Sequence, residues 1–289
     1  MSDVKVGDSM AGVTALWRYM SLDKLINLLD TEKLYFSPLS VYAMSDPFEG
    51  LMPKNGHDAI ADIYHAARKD TLKMIDGVIQ LTGNDPRVKE KIFNNELLDP
   101  NSTFMIDVAN KIIKGITVSC WHSNKNESEA MWKIYSENNN GIAIKTSTSS
   151  IVSAMKDNDD KRLIHFGLVK YIDYHNAELG PKDYVVDGHT SPLLKRDSFS
   201  HENEARLFIM ADVDIKKPLE TKIEAKFVKV NINDLIELIY ISPFAKEPYV
   251  SSVYSICQRY GVDRNKIIKS TLLEGADELL SSFQLNKKY

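Results

Sequence analysis

The chain has 289 residues, of which 43% are hydrophobic and 26% charged, the composition of a globular protein with a sizeable core. Its formal net charge of −4 excludes an overall basic field of the kind that attracts nucleic acid or anionic membranes, but not a local basic patch. No apolar run approaches the roughly 18 residues of a membrane span, and the polar N-terminal segment lacks the apolar core of a signal peptide, so we expect a cytoplasmic protein without membrane contact.

The first predicted elements form a strand–helix–strand unit. Residues 14–20 have the pattern of a short strand, and Ser21 caps an amphipathic helix over 21–33. A second strand is predicted over 33–39, followed by the turn-rich segment "SDPFEG" at 45–50.

The next segment is helical in pattern almost throughout. It runs from His57 to about Gly115, with breaks near Pro86 and Pro100. We interpret it as a helical insertion at about 55–115 within a single domain that spans residues 1–289.

Beyond the insertion the hydrophobic period becomes that of strands. Strands are predicted over 116–122, 161–174, 202–210, 225–232, 234–244 and 265–273, a turn entering a strand over 138–147, and helices over 129–136 and 247–262. Strands from separated segments with helices between them predict an α+β fold.

Two carboxylates and a guanidinium lie close together in the predicted strand 202–210. Because side chains alternate along a strand, Glu202, Glu204 and Arg206 share one face. Neighbouring carboxylates repel, which raises one pKa and leaves the other group ionised, and this suits stabilising a cation while accepting a proton. A ladder of cross-strand ion pairs on a half-exposed face is the alternative, and the spacing leaves both open.

Upstream residues add a candidate anion site. Arg18 lies between Trp17 and Tyr19, where its planar fork suits a phosphate, or equally an ion pair with a carboxylate. Ser119 lies in a β-branched strand with Trp121 on the same face. In the 45–50 turn, Phe48 is placed either to anchor the turn or to stack on a ligand.

Several other chemistries have no support. Cys120 and Cys257 form no CxxC pair, the histidines form no HExxH or zinc spacing, and His201 beside the carboxylates is either a base or structural. There is no GxSxG, Walker A or GxGxxG motif. We therefore expect no metal site.

The order of four sequence blocks resembles a bacterial family of unknown function. The blocks are "LWRYMSLDKLINLLDTEKLYFS", "DPFEG", "VSCWHSNKNESEAMWKIYSENNNGIAIK" and "KRDSFSHENEARLF", so the resemblance runs from about 14 to 210 without the helical insertion. That family in turn looks like a distant branch of the ADP-ribosyltransferase superfamily. The resemblance implies a split β-sheet core with NAD as co-substrate.

The resemblance also implies roles for individual residues. Arg18 would bind the NAD phosphates and Ser119 would brace the site. Glu204 would bind the nicotinamide ribose and stabilise the oxocarbenium-like transition state, while Glu202 would position or deprotonate the acceptor. Arg206 departs from the pattern, because its charge could instead neutralise the glutamates.

The remaining implied contacts are aromatic. Tyr19 or Phe48 would stack on the nicotinamide, and Trp121 completes the expected NAD-binding set. The serine in "VSCWH" departs from the S-T-S sequence typical of the superfamily.

The function implied is that of an NAD-dependent ADP-ribosyltransferase acting as an intracellular toxin or phage-defence effector. Its acceptor would be nucleic acid, RNA first, or protein, and an antitoxin or chaperone is an expected partner. The Lys-rich segments 161–170 and 216–229 are either contacts to a nucleic-acid backbone or solvated strand faces. Two alternatives stay open: a non-catalytic nucleotide-sensing module, and an NAD glycohydrolase.

Overall fold

A computed structural model describes residues 4–83, 85–87, 90, 104–156, 162–214 and 217–275. The predicted helix break at Pro100 lies outside these residues. The strands are β1 (Val4–Val6), β2 (Leu16–Met20), β3 (Lys33–Pro38), β4 (Thr117–Ser123), β5 (Ile142–Thr146), β6 (Ile164–Leu168), β7 (Lys170–Ile172), β8 (Leu194–Arg196), β9 (Glu204–Ile209), β10 (Lys226–Lys229), β11 (Leu238–Ile241) and β12 (Ile267–Lys269).

Helices connect these strands. The α-helices are α1 (Leu22–Thr31), α2 (Lys54–Leu81), α3 (Phe104–Gly115), α4 (Glu129–Tyr135), α5 (Thr148–Ala154), α6 (Pro181–Tyr184), α7 (Ile232–Leu235) and α8 (Tyr249–Arg259). Two of the 3-10 helices border the site described below, Leu39–Met44 and Asp197–Glu202. The α+β prediction is confirmed. Within the described ranges no helix is both long and apolar enough to cross a membrane.

One large mixed sheet organises the molecule. Its strands follow the order β1-β6-β9-β4-β2-β5-β11-β12, β3 pairs with β4 and β10 pairs with β3. The strands β7 and β8 form a separate parallel pair.

The sheet is split beside β4. The C-terminal end of β4 pairs with β2, through Trp17 opposite His122, whereas its N-terminal end pairs with β3, through Ser37 opposite Val118. Both β2 and β3 therefore use the same edge of β4 and diverge along it. The gap between them lies next to the middle of β4.

The register between β4 and β9 assigns side chains to the two faces of the sheet. Directly opposite residues of an antiparallel pair share a face. Ser119 and Trp121 lie opposite Leu207 and Ala205, on what we call face A. On the other side, face B, Cys120 lies opposite Arg206 and His122 opposite Glu204.

Apolar side chains cover both faces. The main core lies on face A, where buried residues of α1, α5 and α8, such as Leu25, Ile151 and Val253, pack against the sheet. On face B, Trp17 and Tyr19 pack against Trp132 of α4. The helices α2 and α3 occupy the predicted insertion.

The strand predicted over 202–210 begins later than expected. Residues up to Glu202 form the 3-10 helix, and Asn203 adopts the left-handed conformation with φ 40°. Asparagine is one of the few residues that enter this region readily. Glu202 is therefore not a strand residue, although the turn brings it back beside Glu204. The predicted strand 161–174 is likewise interrupted, and forms β6 and β7.

Candidate active site

A buried ion cluster joins the 45–50 turn to β8 and β9 on face B. The guanidinium of Arg206 donates to Glu204 Oε2 at 2.5 Å and to Glu49 Oε1 at 2.6 Å. Lys195 Nζ donates to Glu204 Oε1 at 2.7 Å and to Glu202 Oε2 at 2.5 Å, and lies 3.7 Å from Glu49 Oε2. We call these five residues the ion cluster. Charges can be buried this deeply only when they are paired and hydrogen-bonded.

Local chain geometry brings the cluster together. Lys195 lies in β8, and the 3-10 helix and the left-handed turn at Asn203 return the chain to β9. The backbone N–H of Glu204 donates to the hydroxyl of Tyr171 at 2.8 Å, which fixes the start of β9 against β7. Pro192 O accepts a further 3.1 Å bond from Arg206.

The two glutamates of the cluster have opposite pKa shifts. Burial and the neighbouring Glu204 raise the pKa of Glu202 to about 7, although Lys195 opposes this. Burial alone would raise the pKa of Glu204, but Arg206 and Lys195 hold it well below its usual range. Glu202 also retains 15% side-chain exposure, against 8% for Glu204. Glu202 is thus the carboxylate that can exchange a proton near neutral pH.

A second ion pair fixes the same turn. Asp46 Oδ1 accepts from Arg196 Nη2 at 2.7 Å and from the backbone N–H of Phe48 at 3.0 Å. The Arg196 guanidinium lies 4.8 Å from the centre of the Phe48 ring, whose edge also meets Tyr174. Of the two roles considered for Phe48, these contacts are those of an anchor.

Three of the expected NAD-binding residues meet at the gap in the sheet. Arg18 Nη1 donates to Ser119 Oγ at 2.5 Å, and Nη2 lies 3.5 Å from Tyr35 O. The guanidinium also lies 5.5 Å from the centre of the Trp121 ring. Ser119 and Trp121 belong to face A, so this group and the ion cluster lie on opposite faces of the sheet.

Tyr19 is held in the packing of face B. Its hydroxyl accepts a 2.8 Å hydrogen bond from the N–H of Ser128, the residue that caps α4, and its ring meets Trp132 edge-on at 4.9 Å. These contacts position α4 on the sheet, and they do not direct the ring of Tyr19 toward Arg18.

The pKa of Tyr42 is affected both by Arg18 and by Arg206 of the ion cluster. The neighbouring Cys120 and burial raise the pKa of Tyr42, while the charges of Arg206 and Arg18 oppose this shift. Burial, followed by the charge of Glu204, raises the pKa of Cys120 to about 12, so this cysteine stays a thiol at neutral pH. Tyr42 is therefore within electrostatic range of a residue of each group, Arg18 and Arg206.

Four residues of this region were not predicted from the sequence. Glu49, Lys195 and Arg196 all belong to the quoted blocks "DPFEG" and "KRDSFSHENEARLF", whereas Tyr42 belongs to none of them. Two signals were available in the sequence. One is a glutamate beside a phenylalanine in a turn, and the other is a pair of adjacent cations before the two carboxylates.

Two surface cavities lie elsewhere on the molecule. One of about 710 Å³ is lined by residues such as Met10, Thr148 and Lys156, and one of about 450 Å³ by residues such as Lys229 and Tyr260. Neither is lined by a residue of the ion cluster or by Arg18. The chemistry of the paired charges, rather than cavity size, identifies the candidate site.

Comparison with known proteins gives one match. Residues 131–207, from within α4 to β9, match a family described as "Protein of unknown function (DUF2971)". The matched segment contains Lys195, Glu202, Glu204 and Arg206 but not Glu49 or Arg18. No curated protein and no solved structure matches the chain.

Proposed function

We propose that the chain is an NAD-dependent ADP-ribosyltransferase in which Glu202 is the proton acceptor. One observation carries the proposal: Lys195 bridges two carboxylates, of which Glu202 has a pKa of about 7 and Glu204 stays ionised. A base that titrates near the working pH is the most effective one, and a fixed carboxylate nearby stabilises developing positive charge.

The group at the sheet gap suits a pyrophosphate. NAD supplies an ADP-ribosyl group attached to nicotinamide through a labile glycosidic bond. Arginine has five N–H donors, and the two contacts to Ser119 and Tyr35 leave donors of Arg18 for phosphate oxygens. Ser119 holds the guanidinium in place, so less side-chain entropy is lost on binding.

Each residue of the ion cluster then has a distinct task. Glu202, as the carboxylate, accepts the proton that the acceptor nucleophile loses as it takes up the ADP-ribosyl group and nicotinamide leaves. Glu204 remains anionic, and Lys195 holds both carboxylates at a fixed separation. Arg206, itself held by Glu49, keeps Glu204 in place.

The proposed acceptor is nucleic acid, RNA first, with protein as the other class. We propose that the protein acts in the cytoplasm as a toxin or phage-defence effector, restrained by an antitoxin or a chaperone. Such an activity predicts toxicity on expression in a bacterium.

The test compares wild type with Glu202→Gln, and with Glu224→Gln as an exposed glutamate control. Growth is scored after induction, and purified proteins are incubated with NAD and total bacterial RNA or protein. Nicotinamide release and ADP-ribose adducts are measured by mass spectrometry. We expect toxicity and adducts from wild type and from Glu224→Gln, and at least a hundredfold loss in Glu202→Gln, the lower range for a lost general base.

Other results have definite meanings. Absence of nicotinamide release from wild type with every acceptor rejects the proposal. Release without adducts identifies an NAD glycohydrolase with water as the acceptor. Equal activity of wild type and Glu202→Gln removes Glu202 from the reaction.

A second candidate function is supported by the pairing of Glu204. Both of its carboxylate oxygens are bound, one by Arg206 and one by Lys195, as in a purely structural ion pair. A nucleotide-sensing module without catalysis would have this property. It predicts that NAD or ADP-ribose raises the thermal midpoint of wild type but not of Arg18→Met, with no nicotinamide released.

A further inference from the structure

The outer surface of the β3–β10 pair carries aromatic and basic side chains in register. Tyr35 lies opposite Phe227, and Lys33 lies opposite Lys229. Residues two apart on a strand share a face, so all four project from the same side. The Tyr35 and Phe227 rings are 42% and 51% exposed, and both lysines are exposed.

The core does not require these rings. The opposite side of the same strand pair already supplies Leu34, Phe36 and Val228, which are buried in the main core. The rings of Tyr35 and Phe227 lie 5.4 Å apart, tilted at 60° to each other, and form an open aromatic wedge. An exposed aromatic pair in register offers ring faces on which another aromatic ring can stack.

The wedge is close to the candidate active site. Ser37 lies opposite Val118, which alternates with Cys120 along β4, so Ser37 and Tyr35 belong to face B. This is the face that carries the ion cluster. The backbone carbonyl of Tyr35 is itself 3.5 Å from Arg18 Nη2.

We propose that the surface formed by Tyr35, Phe227, Lys33 and Lys229 binds a single-stranded nucleic acid. The bound strand is presented to the ion cluster, which lies on the same face of the sheet. Bases stack on exposed aromatic rings regardless of sequence, and lysines beside the rings pair with the backbone phosphates. A duplex hides its base faces and is excluded. The role as acceptor site rests on the proposed function, whereas binding itself does not.

The test uses fluorescence anisotropy with labelled oligoadenylate RNA and DNA of about 12 nucleotides, a length within common site sizes. Wild type is compared with Tyr35→Ala, Phe227→Ala and the double variant Lys33→Gln/Lys229→Gln. Met74→Ala and Lys69→Gln, both at exposed positions of α2, serve as controls. Circular dichroism checks that each variant is folded, and Phe227→Leu keeps an apolar side chain while removing the ring.

We expect each aromatic substitution to weaken binding about 5- to 100-fold, including Phe227→Leu, because stacking is lost. In the double lysine variant the fall of log K with log salt should be less steep, by about 1.4 in slope, since each phosphate contact on a single strand contributes about 0.7. Comparing RNA with DNA identifies which single strand is preferred, and binding of either supports the proposal.

Two results would overturn the proposal: no saturable binding of either oligonucleotide by wild type at low salt, or unchanged affinity in both aromatic variants. Adduct formation is measured on the same samples. Adducts without binding at the wedge reject this surface but keep the transferase, whereas binding without nicotinamide release keeps the surface and rejects the transferase.

Discussion

Glu49 and Arg206 form a 2.6 Å ion pair although 157 residues separate them in the chain, and both side chains are almost fully buried. The pair ties the turn after β3 to the centre of β9. Arg206 also donates to Glu204, so the geometry of the candidate site depends on the pair.

Breaking this pair should be costly. In Glu49→Gln the buried guanidinium of Arg206 loses a charged partner, and we expect the free energy of unfolding to fall by about 3–5 kcal/mol. Urea denaturation measures it. The matched control is Glu129→Gln, which breaks the exposed 2.7 Å pair with Lys133 and should cost about 0.5 kcal/mol or less. Similar losses in both variants would contradict the burial of the Glu49 pair.

The raised pKa of Glu202 predicts a pH dependence of stability. Because the folded protein binds this proton more tightly than the unfolded chain, the contribution of Glu202 is greatest below about pH 4.5 and is lost as the pH rises through about 7. Between about pH 5 and pH 8, the free energy of unfolding of wild type should therefore fall by about 1–3 kcal/mol relative to that of Glu202→Gln. Denaturant unfolding at both pH values measures this difference, and a constant difference would place the pKa of Glu202 in the ordinary carboxylate range.

The bond between Arg18 and Ser119 can be tested by removing the acceptor. Ser119→Ala leaves the guanidinium of Arg18 without its closest partner. We expect the free energy of unfolding to fall by about 1.5–3 kcal/mol, the range for hydrogen bonds to charged groups. The control is Ser252→Ala, whose exposed hydroxyl bonds within α8 and whose loss should cost about 0.5 kcal/mol or less. Thermal denaturation compares the stability losses of the two variants, and equal losses would count against the bond.

A pair of histidines predicts a pH dependence of stability with the sign opposite to that of Glu202. His189 Nε2 lies 3.2 Å from His165 Nδ1, with Lys5 and Asp187 as their charged neighbours. Burial lowers the pKa of both rings, so the unfolded chain binds more protons and stability falls as the pH drops below about 6.5.

The variant His189→Gln should lose less stability than wild type between about pH 7.5 and pH 5, as measured by urea denaturation. Exposed His57→Gln is the control and should follow wild type within about 0.5 kcal/mol at both pH values. If wild type and His189→Gln lose equal stability on acidification, the contact between the rings has no energetic effect.

Local periodicity was sufficient for much of the fold. The helix predicted over 21–33 forms as α1, and the alternation in 202–210 assigned Glu204 and Arg206 to the same face of β9. These features depend on side chains a few residues apart, which a single sequence displays directly.

The ion cluster depends on contacts that periodicity does not encode. Glu49 comes from a turn, Lys195 from a short strand, and Glu202 from a 3-10 helix that the left-handed Asn203 ends. Their approach is set by the pairing of distant strands. Sequence therefore identified the two glutamates and Arg206 beside them. It did not identify Glu49, or the Lys195 contacts that help to separate the pKa values of the two glutamates.

The insertion of α2 and α3 begins and ends at nearly the same point of the core. The N–H of Leu39, directly after β3, donates to Ile116 O, just after α3, and a Cβ at Gly50, shortly before α2, would lie only 3.0 Å from the Ile113 side chain. Since the cost of closing a loop grows only slowly with its length, the core can accept segments of different size between Gly50 and Ile113, which leaves the turn with Asp46 and Glu49 in place. The length of the helical segment should therefore have little effect on the free energy of unfolding of the sheet.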